Sequence, residues 1–455
     1  MIPVLTAEEM RRLEREAIAS GEVSSLELQE RAARGAASLV PHGVPVEVIA
    51  GPGNNGGDAL AVARLLKDRG EAVRVWAPSP SWKGDAAVQA SRWDGPIASE
   101  IPARGAFANH AWFVDGLFGL SVNRPLEGAA AAWRDGMAGH PVLALDQPSW
   151  VHPDDPDADG PAVTRTACFG ALKLCHALEP SRSRCGEIHR VDIGLDPARA
   201  PHWIVDEPFL PVPEWNAHKR SRGHVAIRAG SVGMSGAAVL AALGALRAGA
   251  GLVTVLTDAG VRAEVACQIP EAMVRPWTGS IPDGVDVLLV GPGGVEDIPA
   301  WDGPLVLDAS ALREDEGPRW MGRPETILTP HPGEFARLFG LPKQRATKDR
   351  LDQTHAIGNG SGVCLLKGPQ SLIVGGGSQE TWINDTGHWG LATGGTGDFL
   401  AGMVAGLRAQ GLAPRAAAAS AAWLHGACAD RLGLGPLLPR DLADELPKLL
   451  RELYA

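Results

Sequence analysis

Cysteine is sparse and follows no motif: Cys168, Cys175, Cys185, Cys267, Cys364 and Cys428 form no C-x-x-C pair and show no zinc-site spacing with a histidine. They are expected to be core thiols without a structural disulfide, since a reducing cytoplasm and a large core make one unnecessary. Long hydrophobic runs are missing as well. The apolar stretch 235–246 stops at Arg247, short of the roughly 20 residues a bilayer requires, so no membrane partner is expected. No G-x-x-x-x-G-K-[ST] occurs, which excludes a Walker-type NTPase. No repeat of 20–50 residues is present, which excludes a solenoid or propeller. Positive charge does not dominate: 42 Lys and Arg face 53 Asp and Glu, for a formal net charge of −11. Nucleic acid is therefore not an expected partner. Residues 1–17 carry acids where a signal peptide needs apolar residues, so a cytoplasmic location is expected.

What is present is 455 residues, 45% apolar, enough for two or three domains with sizeable cores. Short Val/Ile/Leu runs alternate with longer Ala/Leu/Arg segments of helical period, the pattern of parallel β-α units. The fold class is α/β. Strands are predicted at 46–50, 73–77, 111–115 and 142–146 in the first half. In the second half they are predicted at 224–229, 252–256, 285–290, 305–308, 327–329 and 363–367. The proline-rich stretch 206–214 forbids regular structure and is read as a linker between domains at 1–205 and 215–455. A helix from Ala7 to about Gly21 precedes the first strand and packs on its own domain or on a second copy.

In the first half, 46–58 reads as a strand entering a glycine turn, Gly51-Pro-Gly53-Asn54-Asn55-Gly56-Gly57-Asp58, with a helical run from Ala59 to Arg69 behind it. Backbone amides at a helix start form an anion site. Gly51, Gly53 and Gly56 satisfy G-x-G-x-x-G with Glu71 at the distance of a ribose-binding acid, a plain tight turn being the competing reading of the glycines. Asp115 and Asp146 sit at two further strand ends. In an open parallel sheet those ends form the ligand crevice, so Asp58, Asp115 and Asp146 are expected to converge there. Each alone also suits a helix cap. With Asn55 and Ser149 they make an all-oxygen set fit for a hard cation, with one carboxylate left for proton transfer.

These residues, with 166–173 (Thr-Ala-Cys-Phe-Gly-Ala-Leu-Lys), resemble the NAD(P)H-hydrate epimerase domain across about 1–205. The resemblance implies a Rossmann-like three-layer α/β/α domain that interconverts R and S hydrates of NADH and NADPH. It implies that Asn54, Asn55, Gly56, Gly57 and Asp58, with Gly119, Leu120, Ser121, Val122, Asn123, Arg124 and Pro125, cradle the hydrate. It also implies that Asn55, Asp115 and Ser149 hold potassium and that Asp146 is the acid/base. Ala59, Leu120, Gln147 and Trp150 depart from the family pattern, and Trp150 is expected to put its ring beside the cation.

In the second half, Gly394-Gly395-Thr396-Gly397-Asp398 runs straight into a long helical segment. Amides of 395–398 would form an anion nest that stabilises a transferring phosphoryl group, with Asp398 taking a proton from the acceptor hydroxyl. Asp398 as a simple N-terminal helix charge is the competing reading. His331 and Glu334 lie three apart, but Pro332 and Gly333 place them in a loop at a helix start rather than on a metal-binding face. Glu334 suits a water or magnesium organiser, or a cap. Lys367 ends a strand, apt for nucleotide phosphate.

These motifs, with Gly291-Pro-Gly293, Leu307-Asp-Ala309 and Leu424-His425-Gly426 in order, resemble the ADP/ATP-dependent NAD(P)H-hydrate dehydratase branch of the ribokinase-like superfamily. The resemblance implies hydrate binding by Ala237, Gly293, His331 and Asp398. It implies nucleotide binding by Lys367, Gly368, Pro369, Gln370, Ser371, Gly395, Thr396 and Gly397, with Mg2+ assisting. Asp398 would be the base in a dehydration driven by ADP or ATP, with AMP and phosphate as products when ADP is the donor. A homo-oligomer is expected. The same nest serves vitamin-precursor kinases, so the other reading is a small-molecule kinase with a non-catalytic first domain for cofactor binding or dimerisation.

Overall fold

The computed structural model describes residues 1–100, 107, 110–122, 124–212, 214–295 and 297–455. They divide into two compact units, 2–201 and 202–455, with Met1 in the second. The division falls before the strand His202–Ile204, which pairs with Ser378–Asn384 in the second unit. Residues 205–212 carry neither helix nor strand. No described helix is long and apolar enough to cross a membrane.

The first unit is built on a seven-stranded parallel sheet in the order Ile97–Ala98, Val73–Trp76, Val46–Ala50, Trp112–Gly116, Val142–Leu145, Arg165–Phe169, Glu187–Val191. Every residue of Val46–Ala50 and of Val142–Leu145 is buried. Both faces are covered, which is why these strands read as mainly apolar runs rather than alternating ones, with buried Glu47 paired to Arg74 and Trp76. The sequence order reverses between Val46–Ala50 and Trp112–Gly116, and that switch point opens a crevice at their C-terminal ends. Glycine is demanded there by close backbone approach. A Cβ on Gly51 would lie 1.8 Å from the Leu117 carbonyl oxygen, and one on Gly56 the same distance from the Gly51 carbonyl.

The helix behind this turn spans Asn54–Asp68, so the five polar residues 54–58 are its first turns and not a loop ahead of it. Glu71 precedes Val73–Trp76, at the opposite edge of the sheet, and binds Arg69 and the Gly43 amide. It is no ribose ligand. The opening helix, Ala7–Ser20, starts from a reciprocal cap between Thr6 and Glu9 and ends on left-handed Gly21. It follows the strand Ile2–Leu5, which pairs in parallel with Leu172–Lys173, Leu5 opposite Lys173. The N-terminal helix is thereby brought to the Lys173 end of the crevice.

The second unit carries seven parallel strands in the order Met273–Pro276, Leu252–Thr257, His224–Arg228, Val287–Val290, Leu305–Leu307, Thr326–Leu328, Val363–Leu366. An antiparallel hairpin, Ser371–Gly375 and Ser378–Asn384, then His202–Ile204, extend it. Gly376 and Gly377, both with positive φ, make the hairpin turn. Order reverses between His224–Arg228 and Val287–Val290, a second switch point. Helix Thr396–Ala409 packs on Ser235–Arg247 through glycine: Cβ atoms on Gly402 and Gly406 would lie 2.0 and 2.5 Å from the carbonyls of Ala241 and Ala245. That contact fixes the height of the Thr396 end over the sheet.

Candidate active sites

At the first switch point a cavity of about 470 Å³ is lined by Arg11, Glu14, Asn54, Asn55, Asp58, Leu117, Gly119, Leu120, Ser121, Asp146, Phe169 and Lys173, among others. Asp58 and Asp146 converge here as expected from the strand ends. Asp115 does not line it. Asp146 holds φ 66°, a strained value for a non-glycine residue, just past the strand Val142–Leu145. Its Oδ1 accepts the Lys173 ammonium at 2.5 Å and the Phe169 amide at 3.3 Å. Lys173 is wholly buried. Burial works against its charge, but the Asp146 carboxylate outweighs it and holds the lysine pKa above its ordinary value.

The same cavity contains two carboxylates with no hydrogen bond or ion pair to any described residue, Asp58 and Glu14. Burial, then the charges of Asp146 and Glu14, push Asp58 well above the usual carboxylate range. Burial, then Asp146, push Glu14 up as well. Arg11 donates to the Leu120 carbonyl, which ties the N-terminal helix to the 119–125 loop. Among that loop's predicted ligands, Gly119, Leu120 and Ser121 face the cavity, Val122 is buried beside it in sequence, Arg124 and Pro125 are not among its lining, and Asn123 lies outside the described residues.

Beneath the cavity, Asp115 is fully buried. It accepts Ser149 Oγ at 2.6 Å, the Ser149 amide at 2.9 Å and the Leu117 amide at 3.3 Å. No lysine or arginine pairs with it among the described residues. Burial raises its pKa against the pull of the bonds from Ser149 and Leu117. Ser149 Oγ also donates to the Phe118 carbonyl at 3.1 Å, and the buried Asn55 Nδ2 has no partner. A buried carboxylate without a cation, ringed by hydroxyl, carbonyl and amide groups, fits a hard monovalent ion.

Trp150 does not line the cavity. Its Nε1 donates to the Pro161 carbonyl at 2.9 Å, and its ring lies over Gly160, where a Cβ would meet it at 2.4 Å. Bare Gly160 gives the indole room on that side. The methyl of Ala59 is accommodated the same way, against Gly116. Gln147 donates to the Gly119 carbonyl at 2.9 Å and braces the loop.

The second site lies at the C-terminal ends of the larger parallel sheet. At its switch point the Gly230 and Ser231 amides bond to the carbonyls of Pro292 and Gly293, which locks the loop ahead of Ala237 to the Gly293 loop. Ser310 Oγ then bonds to the Gly291 carbonyl. Next along the edge, Asp308 is buried and accepts Thr329 Oγ1 at 2.7 Å and the Lys367 ammonium at 2.8 Å. Lys367 Nζ stands 3.5 Å from where a Gly397 Cβ would be. The strand-end lysine thus meets the start of the Thr396–Ala409 helix.

Burial opposes charge on Lys367, but Asp308, Glu334 and Asp398 raise its pKa. Three carboxylates around one ammonium leave negative charge in excess, which suits a divalent cation. Asp398 makes no hydrogen bond to a described residue and is pushed up to about 6, by burial first and by Asp308 next, against the pull of Lys367. Gly395, in the left-handed region at φ 92°, starts the helix. Its nest is smaller than expected, because the Thr396 amide already reaches the Thr393 carbonyl at 3.4 Å. His331 caps Pro332–Phe339: its Nδ1 accepts the Gly333 and Glu334 amides, which leaves the proton on Nε2. Glu334 closes the box on the His331 amide at 2.8 Å, so it is a cap as well as a neighbour of Lys367. Gln370 and Ser371 are buried in the turn and hairpin that follow Lys367.

Glu14, Lys173 and Asp308 carry no individual role in the sequence reading. Lys173 and Asp308 lie within quoted motifs, while nothing local marks Glu14. Cys267 is exposed, not in a core, and Cys175, His176 and Cys185 bring ligand atoms within 4.8 Å of one another. His176 Nδ1 already accepts the Lys173 amide at 3.0 Å, so a metal at Nε2 would require an imidazolate.

Against known proteins, residues 25–175 match the family described as YjeF-related protein N-terminus, and 225–450 match NAD(P)H-hydrate dehydratase. The bifunctional NAD(P)H-hydrate repair enzyme of Moorella thermoacetica is 33% identical, over 99% of this chain and 97% of that protein. The enzyme of the same name from Coxiella burnetii is 34% identical, over 97% of this chain and 98% of that one. Among solved structures, the ADP/ATP-dependent NAD(P)H-hydrate dehydratase of Bacillus subtilis is 31% identical, covering 55% of this chain and 99% of its own at a TM-score of 0.48. On the strength of the two near-full-length relatives, this chain belongs to the family of bifunctional NAD(P)H-hydrate repair enzymes.

Proposed function

We propose that the first unit epimerises the R and S hydrates of NADH and NADPH and that the second dehydrates the S form with ADP as donor. The observation that carries the reading is the meeting of Lys367, Asp308, Glu334 and the unbonded Asp398 at one helix start. Asp398 takes the proton of the ring hydroxyl as the β-phosphoryl group of ADP moves to that oxygen, leaving AMP. The C–O bond then breaks with the electron pair going to phosphate. The neighbouring ring carbon loses a proton, and the dihydronicotinamide is restored. Lys367 and the first-turn amides of Gly397 and Asp398 steady the charge in transit. Mg2+, held near Glu334, would neutralise nucleotide phosphate. ATP in place of ADP uses the same groups.

In the first unit Asp146 shuttles protons to and from oxygen as the configuration inverts at the carbon that bears both hydroxyl and ring nitrogen. Asn55, Asp115 and Ser149 would hold potassium, whose charge would steady the loop under the substrate. The test is regeneration of NADH absorbance by the full chain from a mixed-epimer hydrate with ADP or ATP. Full conversion is expected. Turnover of the S half alone refutes the epimerase role, and phosphorylation of hydroxymethylpyrimidine without hydrate turnover refutes the whole reading. Asp398→Asn is expected to slow dehydration by about 10² to 10⁴ with nucleotide binding retained.

A further inference from the structure

An inversion at one carbon needs a group to give a proton as well as one to take it, and the first cavity contains three carboxylates in two different settings. Asp146 is committed to Lys173 by a 2.5 Å ion pair and is placed to act as the base. Glu14 and Asp58 line the same space with no bonded partner among the described residues. Paired carboxylates whose surroundings drive them apart are the usual mark of acid and base. Which of the two is the acid follows from their settings. Asp58 sits in the second turn of the Asn54–Asp68 helix, at the end of the 54–58 run expected to cradle the substrate. Glu14 comes to the cavity from a separate element, the Ala7–Ser20 helix. It faces Asp146, Lys173, Arg11 and Asp58, of which the first raises it and the next two lower it. Its helix is anchored ahead of it, by the Leu5 to Lys173 pairing and by the Arg11 side chain on the Leu120 carbonyl.

We infer that Glu14 is the acid partner of Asp146 in epimerisation, an inference that rests on the epimerase reading of this cavity. The Glu14 carboxylic acid gives its proton to the ring hydroxyl, the C–O bond breaks as water leaves, and the nitrogen lone pair forms C=N. Water then adds to the opposite face, its proton passing to Asp146 as the C=N pair returns to nitrogen. Solvent carries the proton from Asp146 back to Glu14, so nothing is consumed. Asp58 holds the substrate as a neutral donor.

The test follows loss of the R hydrate by full-length wild type, Glu14→Gln, Glu14→Asp, Asp58→Asn and Asp146→Asn across pH, with melting temperatures measured alongside. Wild type should lose rate as pH rises through the Glu14 titration. Glu14→Gln should lower kcat by about 10² to 10⁴ with KM held, and erase that limb. Glu14→Asp should recover part of the rate with the limb displaced, and it decides the matter should the glutamine variant melt early. A wild-type rate and limb in Glu14→Gln, beside an inert Asp146→Asn, overturns the role of Glu14 alone. Loss of the limb in Asp58→Asn only does the same and moves the acid to Asp58. Wild type that interconverts no epimers overturns the epimerase reading with it.

Discussion

Gly402→Ala puts one methyl where the structure has no room for it, and the site registers the consequence. The new Cβ would stand 2.0 Å from the Ala241 carbonyl oxygen, against 3.4 Å for ordinary contact, so the Thr396–Ala409 helix would have to lift by about 1.4 Å. One turn on, a Cβ on Gly406 would likewise stand 2.5 Å from the Ala245 carbonyl oxygen, so the helix backbone is already closely packed at a second point and cannot tilt freely about it. Asp398 is one turn earlier on the same face and rides on that displacement. A misplacement of about 1 Å in a positioned group costs on the order of 10² in rate. Overpacking costs a further 1–3 kcal/mol or so of stability. Dehydration of the S hydrate should therefore fall about 10²-fold in kcat while the R-to-S exchange continues. Gly136→Ala, a helical glycine with nothing within 4 Å of its would-be Cβ, should leave both activities intact. Wild-type dehydration by Gly402→Ala would refute the claim that helix height sets the base.

Two further outcomes follow from the buried charges. Because Asp398 must be ionised to act and titrates near 6, dehydration should rise with pH through about 6 and level off above it; a rate flat between pH 5 and 7 would exclude it as the base. Lys173→Met leaves Asp146 buried and unpaired, which should cost the first unit about 3–5 kcal/mol in calorimetric melting of the full chain. Most of that cost should return with Asp146→Asn added, and additive losses in the double variant would show that the pair is not coupled.

The central parallel strands were legible because burial on both faces leaves them mainly apolar, and each expected strand is present to within two residues at either end; Ile97–Ala98, Arg165–Phe169, Glu187–Val191 and Met273–Pro276, at or near the sheet edges, were not expected. What escaped notice has specific causes. The hairpin strand Ser378–Asn384 carries polar Gln379, Glu380 and Thr381 with only Gln379 exposed, which breaks its apolar pattern, and its Gly376-Gly377 turn sits in a run of glycines that conceals the boundary. The Asn54–Asp68 helix begins five residues early because Gly56 and Gly57 read as breakers, whereas here they are the only residues that fit beneath Gly51 and Ala86.

The sites divide along the same line. Asp146 and Asp398 stand at ends of elements whose type is written locally, so their positions were readable. Glu14 is placed by a pairing across 168 residues, Leu5 with Lys173, that no local pattern encodes. Trp150 likewise depends on a residue elsewhere in the chain: Gly160, ten residues on, supplies the hollow over which its ring lies. A departure from a family motif is thus readable only with the residue that accommodates it. For the chemistry, the decisive environment is built the same way: Lys173 and Asp146 lie 27 residues apart, Lys367 and Asp308 59 apart. In each site a buried ammonium brought from a distant strand end neutralises one carboxylate. Further carboxylates beside it remain unbonded to any described residue, Glu14 and Asp58 in the first unit and Asp398 in the second, and it is there that the proposed proton transfers call for a titrating group.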